Sequence, residues 1–162
     1  MRLDLATQAE SVMDQAAEVE AAAAGSKPWP MNEDDVEWLS RLLLKRYPGK
    51  YDISGVEHWL KNYVYKRTDI YHQCRTSNSF CVSLLTKRPW SFESEVSVMM
   101  VGCDEGPTHL WECLICLRAS IVWGRSMKAT TWKLASDTEY DLAPVAKYLG
   151  LEEISPRFIL RY

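Results

Sequence analysis

Residues 128–162, KATTWKLASDTEYDLAPVAKYLGLEEISPRFILRY, decide the fold. The segment opens on a run of strand formers, KATTWKLASD. DLAPVAKYLG follows as a short helix, with Asp141 as its cap, Pro144 inside the first turn and Gly150 at its close. LEEISPRFILRY then reads as an apolar return strand. A strand feeding a helix that crosses to another strand implies a sheet domain with a right-handed crossover.

The residues upstream extend the same order. Leu110, Leu114, Leu117 and Ile121 form an apolar stripe on a helix from about Thr108 to Trp123, with Pro107 at its start and Gly124 at its close. SEVSVMMVG, residues 94–102, reads as a buried strand ahead of it. DIYHQCRT and SFCVSLLTK are strand-like runs about Ser77 and Asn78, which predicts a hairpin. Two helices precede them. One starts at Asn32 as N-cap and carries Val36, Leu39 and Leu43 on one face; the other starts near Ser54, where Ser54-x-x-Glu57 spells a capping box, and carries Val56, Trp59, Leu60 and Tyr63. The fold class is α/β (α+β), a mixed central sheet flanked by helices.

Residues 1–24 stand apart. Leu5, Ala9, Val12, Ala16, Val19 and Ala23 repeat at spacings of four and three, the rhythm of a two-helix seam. Its knobs are mostly alanine, so the helix buries little area by itself and is expected to dock, through Leu5, Val12 and Val19, on another protein chain. Residues 25–31 (GSKPWPM) break it as a linker, with Trp29 as a further anchor. Residues 32–162 form the domain.

Bulk properties exclude several functions. A chain of 162 residues suits one domain. A net charge of -3 gives no pull toward nucleic acid or an anionic membrane. Lys61, Lys66 and Arg67, with Tyr63 and Tyr65 interleaved, read equally well as a cationic helix end. No apolar run is long enough to span a bilayer, and the N-terminus lacks a signal-peptide core. Five cysteines, an odd number, favour free thiols in a reducing cytosol.

Residues Ala146, Lys147, Tyr148, Leu149, Gly150 and Leu151 resemble the Tyr-x-Lys-x-Gly-Phe pattern at the last helix of the Gcn5-related N-acetyltransferase (GNAT) fold. The glycine is in register, and alanine stands at the family's tyrosine acid. The resemblance implies an acetyl-CoA site between the strand at 94–102 and the next helix, where the family carries Arg/Gln-x-x-Gly-x-Gly/Ala. Here that junction is VGCDEGPTHL, residues 101–110. Gly102, Gly106, Thr108 and His109 are its cofactor candidates, whereas Asp104 and Glu105 oppose an anion and Pro107 removes a backbone donor. The family's carboxylate base has Glu95 or Glu93 as counterparts, and Tyr140 is a substitute acid. An indole of Trp111, Trp123 or Trp132 in the gap beyond the strand would obstruct the cofactor's arm.

His109, Cys113 and Cys116, with Cys103 upstream, share a helix face, yet Leu110, Leu114 and Leu117 flank it, so the residues read as core packing and no metal is expected. Neither His58 nor His72 falls at a spacing that pairs it with a cysteine.

The segment at 137–162 is also similar to acetyltransferase-like proteins of tailed bacteriophages, including internal virion proteins of T7-like phages. That resemblance implies a phage-encoded protein with a degenerate cofactor site, found in the bacterial host cytoplasm or the virion and serving assembly or binding. An active acetyl-CoA-dependent N-acetyltransferase is the alternative, and a host-directed inhibitor acting through exposed tryptophans is a second.

Overall fold

The computed structural model describes residues 27–106, 109–134 and 147–152. The expected docking helix with Leu5, Val12 and Val19, the positions Thr108, Tyr140 and Ala146, and the return strand at 153–162 lie outside the described residues. The described residues form helices α1 (Val36–Arg46), α2 (Ile53–Trp59) and α3 (His109–Ser126) and strands β1 (Tyr71–Arg75), β2 (Ser79–Lys87), β3 (Ser94–Cys103) and β4 (Thr131–Lys133). A further helical turn covers residues 147–149. None of these helices is long and apolar enough to cross a membrane.

The strands make one mixed sheet in the order β1-β2-β3-β4. β1 to β3 are antiparallel neighbours; β4 is parallel to β3, and α3 is the crossover between them. The sheet separates two apolar clusters. α1 and α2 bring Val36, Leu39, Leu43 and Leu60 onto Phe80 and Val82 on one face. α3 brings Trp111, Leu114, Cys116 and Leu117 onto Cys74 and Cys81 on the other. The alternation of β2 is what allows this: Phe80 and Val82 point one way, Cys81 and Ser83 the other.

β3 contains an irregularity. Val82 pairs with Met100 and Ser83 with Val98, so Met99 is an extra residue without a partner on β2. Before it, Val96 and Val98 face α3; after it, Val101 faces α3 while Met100 and Gly102 face α1 and α2.

Local chemistry explains most element ends. Asn32 caps a short 3-10 turn (Glu33–Asp35) that leads into α1, accepting from Asp34 N–H at 2.8 Å while Asp35 caps Asn32 in return at 2.9 Å. The predicted hairpin forms, with the Thr76 hydroxyl accepting from Ser79 N–H at 3.1 Å. Two expectations are corrected. The Ser54–Glu57 capping box does not form: α2 starts at Ile53, and the Glu57 carboxylate accepts from Ser40 of α1 at 2.9 Å. Gly124 does not close α3, which runs on to Ser126. A Cβ there would come within 3.1 Å of Val96, so the glycine permits close helix–sheet contact. The turn after the helix is made by Lys128, at φ 59°.

Trp29, at the end of the expected linker, exchanges two 2.9 Å backbone hydrogen bonds with Arg75, and Met31 is buried. Arg75 holds this corner. Its guanidinium lies 3.4 Å from the Trp38 ring centroid and donates to Asp35 at 2.7 Å, in a nearly buried pair.

Candidate functional site

The site begins where β3 and β4 part. Their parallel pairing covers only Glu95, Val96 and Ser97, opposite Thr131, Trp132 and Lys133. Residues 98–103 have no neighbour on that side among the described residues, and the extra residue Met99 bends the strand just where pairing stops. Among the described residues the result is a wedge, closed near Trp132 and open toward Cys103, ahead of the N-terminus of α3. Trp132 belongs to the closed end: its indole donates to Ser120 at 2.9 Å, and Ser120 bonds Ser83 at 2.6 Å. Trp123 is elsewhere, stacked on His72 at 5.3 Å beside a cavity of about 330 Å³ that Trp29, Tyr71 and Cys74 also line. Burial pulls the His72 imidazole down to about 4. Trp111 is nearest the open end. It is buried, meets Tyr148 edge to face at 5.7 Å, and its indole N–H has no partner among the described residues.

The turn from β3 into α3 is held from three directions. The Asn78 carbonyl, from the β1–β2 hairpin, accepts Asp104 N–H at 2.7 Å. The Asn78 amide donates at 2.9 Å to Glu112, a buried carboxylate in the first turn of α3. From the end of α1, Lys45 pairs with Asp104 at 3.0 Å and Arg46 with Glu105 at 2.8 Å, while Arg46 also donates to the Cys103 carbonyl at 3.3 Å. Sequence reasoning missed Lys45, Arg46 and Asn78. The two cations sit 59 positions from their partners, and a basic pair at a helix C-terminus is already explained by the helix dipole.

Each glycine of the turn has a different reason. A Cβ on Gly102 would come within 3.0 Å of Phe80 and 3.1 Å of the Tyr47 hydroxyl, so core packing toward α1 requires it. Gly106, at φ 149°, is exposed at the turn itself. His109 is the first residue of α3.

Four of the five thiols fall into an inner and an outer pair, and the fifth, Cys81, is buried 3.6 Å from the Ser83 hydroxyl. Cys74 and Cys116 are fully packed beneath α3, and the Cys74 thiol contacts the Cys116 carbonyl at 3.7 Å. Cys103 and Cys113 are half-buried at the turn. Hydrogen bonding from Cys113, aided by the nearby Arg46 charge, holds the Cys103 thiol below its ordinary range, and the same contact pushes Cys113 well up. Tyr47 beside them is raised to about 12, chiefly by burial.

Glu95 lies at the closed end of the wedge. It pairs with Lys133 at 2.5 Å, a contact that lowers its carboxyl below the usual range. Cys103 lies eight positions further on, roughly 26 Å along an extended strand. Glu93 is exposed in the β2–β3 turn, 3.7 Å from Arg88. In the basic stretch, Arg67 pairs with Asp69, and burial raises the Tyr65 hydroxyl to about 12. No group of three or more His, Cys, Asp or Glu among the described residues is placed to hold a metal ion.

This arrangement is the Gcn5-related N-acetyltransferase fold. An aminoglycoside N-acetyltransferase solved in complex with CoA superposes with a TM-score of 0.65 at 14% identity, over 85% of this chain and 94% of that one. A glucosamine-6-phosphate N-acetyltransferase from Arabidopsis thaliana gives 0.68 at 11% identity, over 85% and 98%. An acetyltransferase from Trypanosoma brucei gives 0.65 at 15% identity, over 85% and 99%. Neither a protein-family model nor a curated protein matches the chain in sequence.

Proposed function

We propose that the chain is an acetyl-CoA-dependent N-acetyltransferase. The observation that supports this is the wedge: among the described residues, a three-residue parallel pair ends at Ser97 and leaves the rest of β3 unpaired ahead of a helix. An unpaired strand edge offers alternating N–H and C=O groups to an extended chain that carries amides, and the pantetheine arm is such a chain. Residues 98–103 supply that edge among the described residues, and Trp111 adds a buried N–H with no partner among them. The helix start suits a pyrophosphate. Lys45 and Arg46 already reach the same turn, and their exposed pairs with Asp104 and Glu105 are weak enough to exchange for phosphate.

When bound, acetyl-CoA supplies an activated thioester. The protein's own part is to seat the arm along β3, to shield it beneath Trp111 and Tyr148, and to receive an amine at the open end. Glu95, ion-paired at the closed end, is poorly placed as the base.

Calorimetry and thermal shift of the full chain with acetyl-CoA test the reading. Heat and a rise in Tm at millimolar ligand are expected, and both should fall when residues 98–103 are disrupted by a Val101→Pro change. No heat and no shift would end it.

The charge of the turn favours a second reading. Asp104, Glu105 and Glu112 set three carboxylates around the helix start against two cations. A protein that keeps the fold for binding or assembly, including the virion role implied by the phage resemblance, would tolerate them. In that reading Leu5, Val12, Val19 and Trp29 seat the partner chain, and removing residues 1–24 abolishes incorporation without unfolding the domain.

A further inference from the structure

The end of the sheet away from the candidate site carries a second surface. β2 and β3 last pair at Lys87 and Ser94, and residues 88–93 loop between them. Trp90 is 82% exposed and Phe92 105%, so both rings stand almost wholly in water. The loop that holds them is shaped: Ser91 N–H donates to the Arg88 carbonyl at 3.1 Å, and the Ser91 hydroxyl accepts from Glu93 N–H at 3.1 Å. Two large rings held out of the core in this way mark an interaction surface.

Cations surround the base of the loop. Lys87 and Arg88 belong to it. Lys128 joins them from the end of α3, where its carbonyl accepts from the Ser94 hydroxyl at 3.3 Å. On the other side the Ile70 carbonyl accepts Leu85 N–H at 2.7 Å, which brings Lys66 and Arg67 toward the end of β2. Two carboxylates stand against these five cations: Asp69 is bound to Arg67 at 3.0 Å, and Glu93 lies 3.7 Å from Arg88. Glu95, next along β3, is taken by Lys133. The net charge of -3 is therefore unevenly placed. Asp35, Asp104, Glu105 and Glu112 lie toward the opposite end, where Ser79 pairs with Cys103.

We propose that this loop is a membrane-surface anchor: Trp90 and Phe92 enter the interface of an anionic bilayer while Lys66, Arg67, Lys87, Arg88 and Lys128 meet its headgroups. The order of the layers argues for a bilayer. The rings follow the last strand pair, with the Trp90 backbone at most about 10 Å past it, and the cations sit at or behind that pair. A bilayer meets an approaching protein in the matching order, anionic headgroups first and the apolar interior behind them. Single-stranded nucleic acid calls instead for rings set along a cationic groove. The contact is peripheral, since none of the described helices is long and apolar enough to cross a membrane. It is independent of acetyl-CoA and of the wedge.

Co-sedimentation of the full chain with lipid vesicles tests this. The wild type should pellet with vesicles of mixed phosphatidylcholine and phosphatidylserine, and less with phosphatidylcholine alone or in high salt. Brominated acyl chains should quench part of its tryptophan fluorescence, and Trp90→Phe should still pellet but lose that quenching. Trp90→Ala combined with Phe92→Ala should weaken binding about tenfold or more, and Lys87→Glu combined with Arg88→Glu should erase the preference for phosphatidylserine. All four side chains are exposed, so the thermal midpoints of these variants should match the wild type. No pelleting with phosphatidylserine vesicles, quenching retained by Trp90→Phe, binding unchanged in the Trp90 and Phe92 double variant, or capture of a single-stranded oligonucleotide in place of vesicles would each overturn the proposal.

Discussion

Asn78 donates to the buried carboxylate of Glu112 at 2.9 Å, joining the tip of the β1–β2 hairpin to the first turn of α3. The same residue accepts Asp104 N–H through its carbonyl. One residue therefore holds both ends of the turn that carries the candidate site, Asp104 through its backbone carbonyl and Glu112 through its side-chain amide.

Replacing Asn78 with Ala removes the donor and leaves a buried carboxylate short of a partner, at a cost of about 1–3 kcal/mol. Asn78→Asp should cost more, since it sets a second carboxylate against the first. Urea denaturation gives both values. An Asn78→Asp variant as stable as wild type would show that Glu112 does not depend on this contact.

Arg75 should resist conservative exchange. Its guanidinium lies 3.4 Å from the Trp38 ring centroid while pairing with a nearly buried Asp35. Lysine cannot both stack and keep that geometry. Arg75→Lys is expected to lose about 2 kcal/mol and Arg75→Ala about 3–5 kcal/mol, because removal of one partner strands a buried charge. The urea midpoints of the two variants should fall in that order.

Stability should carry a signature of His72. Its folded value is about 4, below the usual 6.5, because burial disfavours the cation. Above pH 6.5 both states hold it neutral and it adds no pH dependence. As the pH falls toward 4, the unfolded chain takes up a proton that the folded chain refuses, so stability drops by roughly 2–4 kcal/mol across that window. His72→Phe keeps a ring against Trp123 and should remove this share of the slope. Equal slopes for variant and wild type would exclude it.

Gly102→Ala tests whether that glycine serves packing. Its new methyl would press on Phe80 and the Tyr47 hydroxyl at 3.0 and 3.1 Å. A loss of about 1–3 kcal/mol is expected from overpacking, whether or not acetyl-CoA is present. Thermal unfolding without ligand reads it directly.

The elements were legible where one local pattern dominated. The hairpin at Ser77 and Asn78 follows from two runs of strand formers broken by small polar residues, and α3 from its leucine stripe. Tertiary contacts hid the rest. Glu57 had the spacing of a capping box, but Ser40 on another helix claims its carboxylate. Gly124 looked like a stop, yet it sits inside α3 because Val96 presses against it. At the site, Gly102 and Gly106 were visible as glycines of the junction, but the packing of Phe80 and Tyr47 against Gly102 was not. Lys45, Arg46 and Asn78, which hold the turn, carry no local mark of doing so, since their partners are distant in sequence.

Met99 shows how much one residue can decide. It works like a single inserted letter in a two-letter repeat: everything downstream changes sides. Take it out, and Val98 and Met100 become consecutive partners of Ser83 and Val82, so the residues beyond keep the faces they have. Draw it into regular pairing instead, and Met99 stands opposite Val82 and Val101 opposite Phe80, where even a Cβ has little room. That a glycine, and no larger residue, meets Phe80 is thus the work of an unpaired methionine three positions upstream.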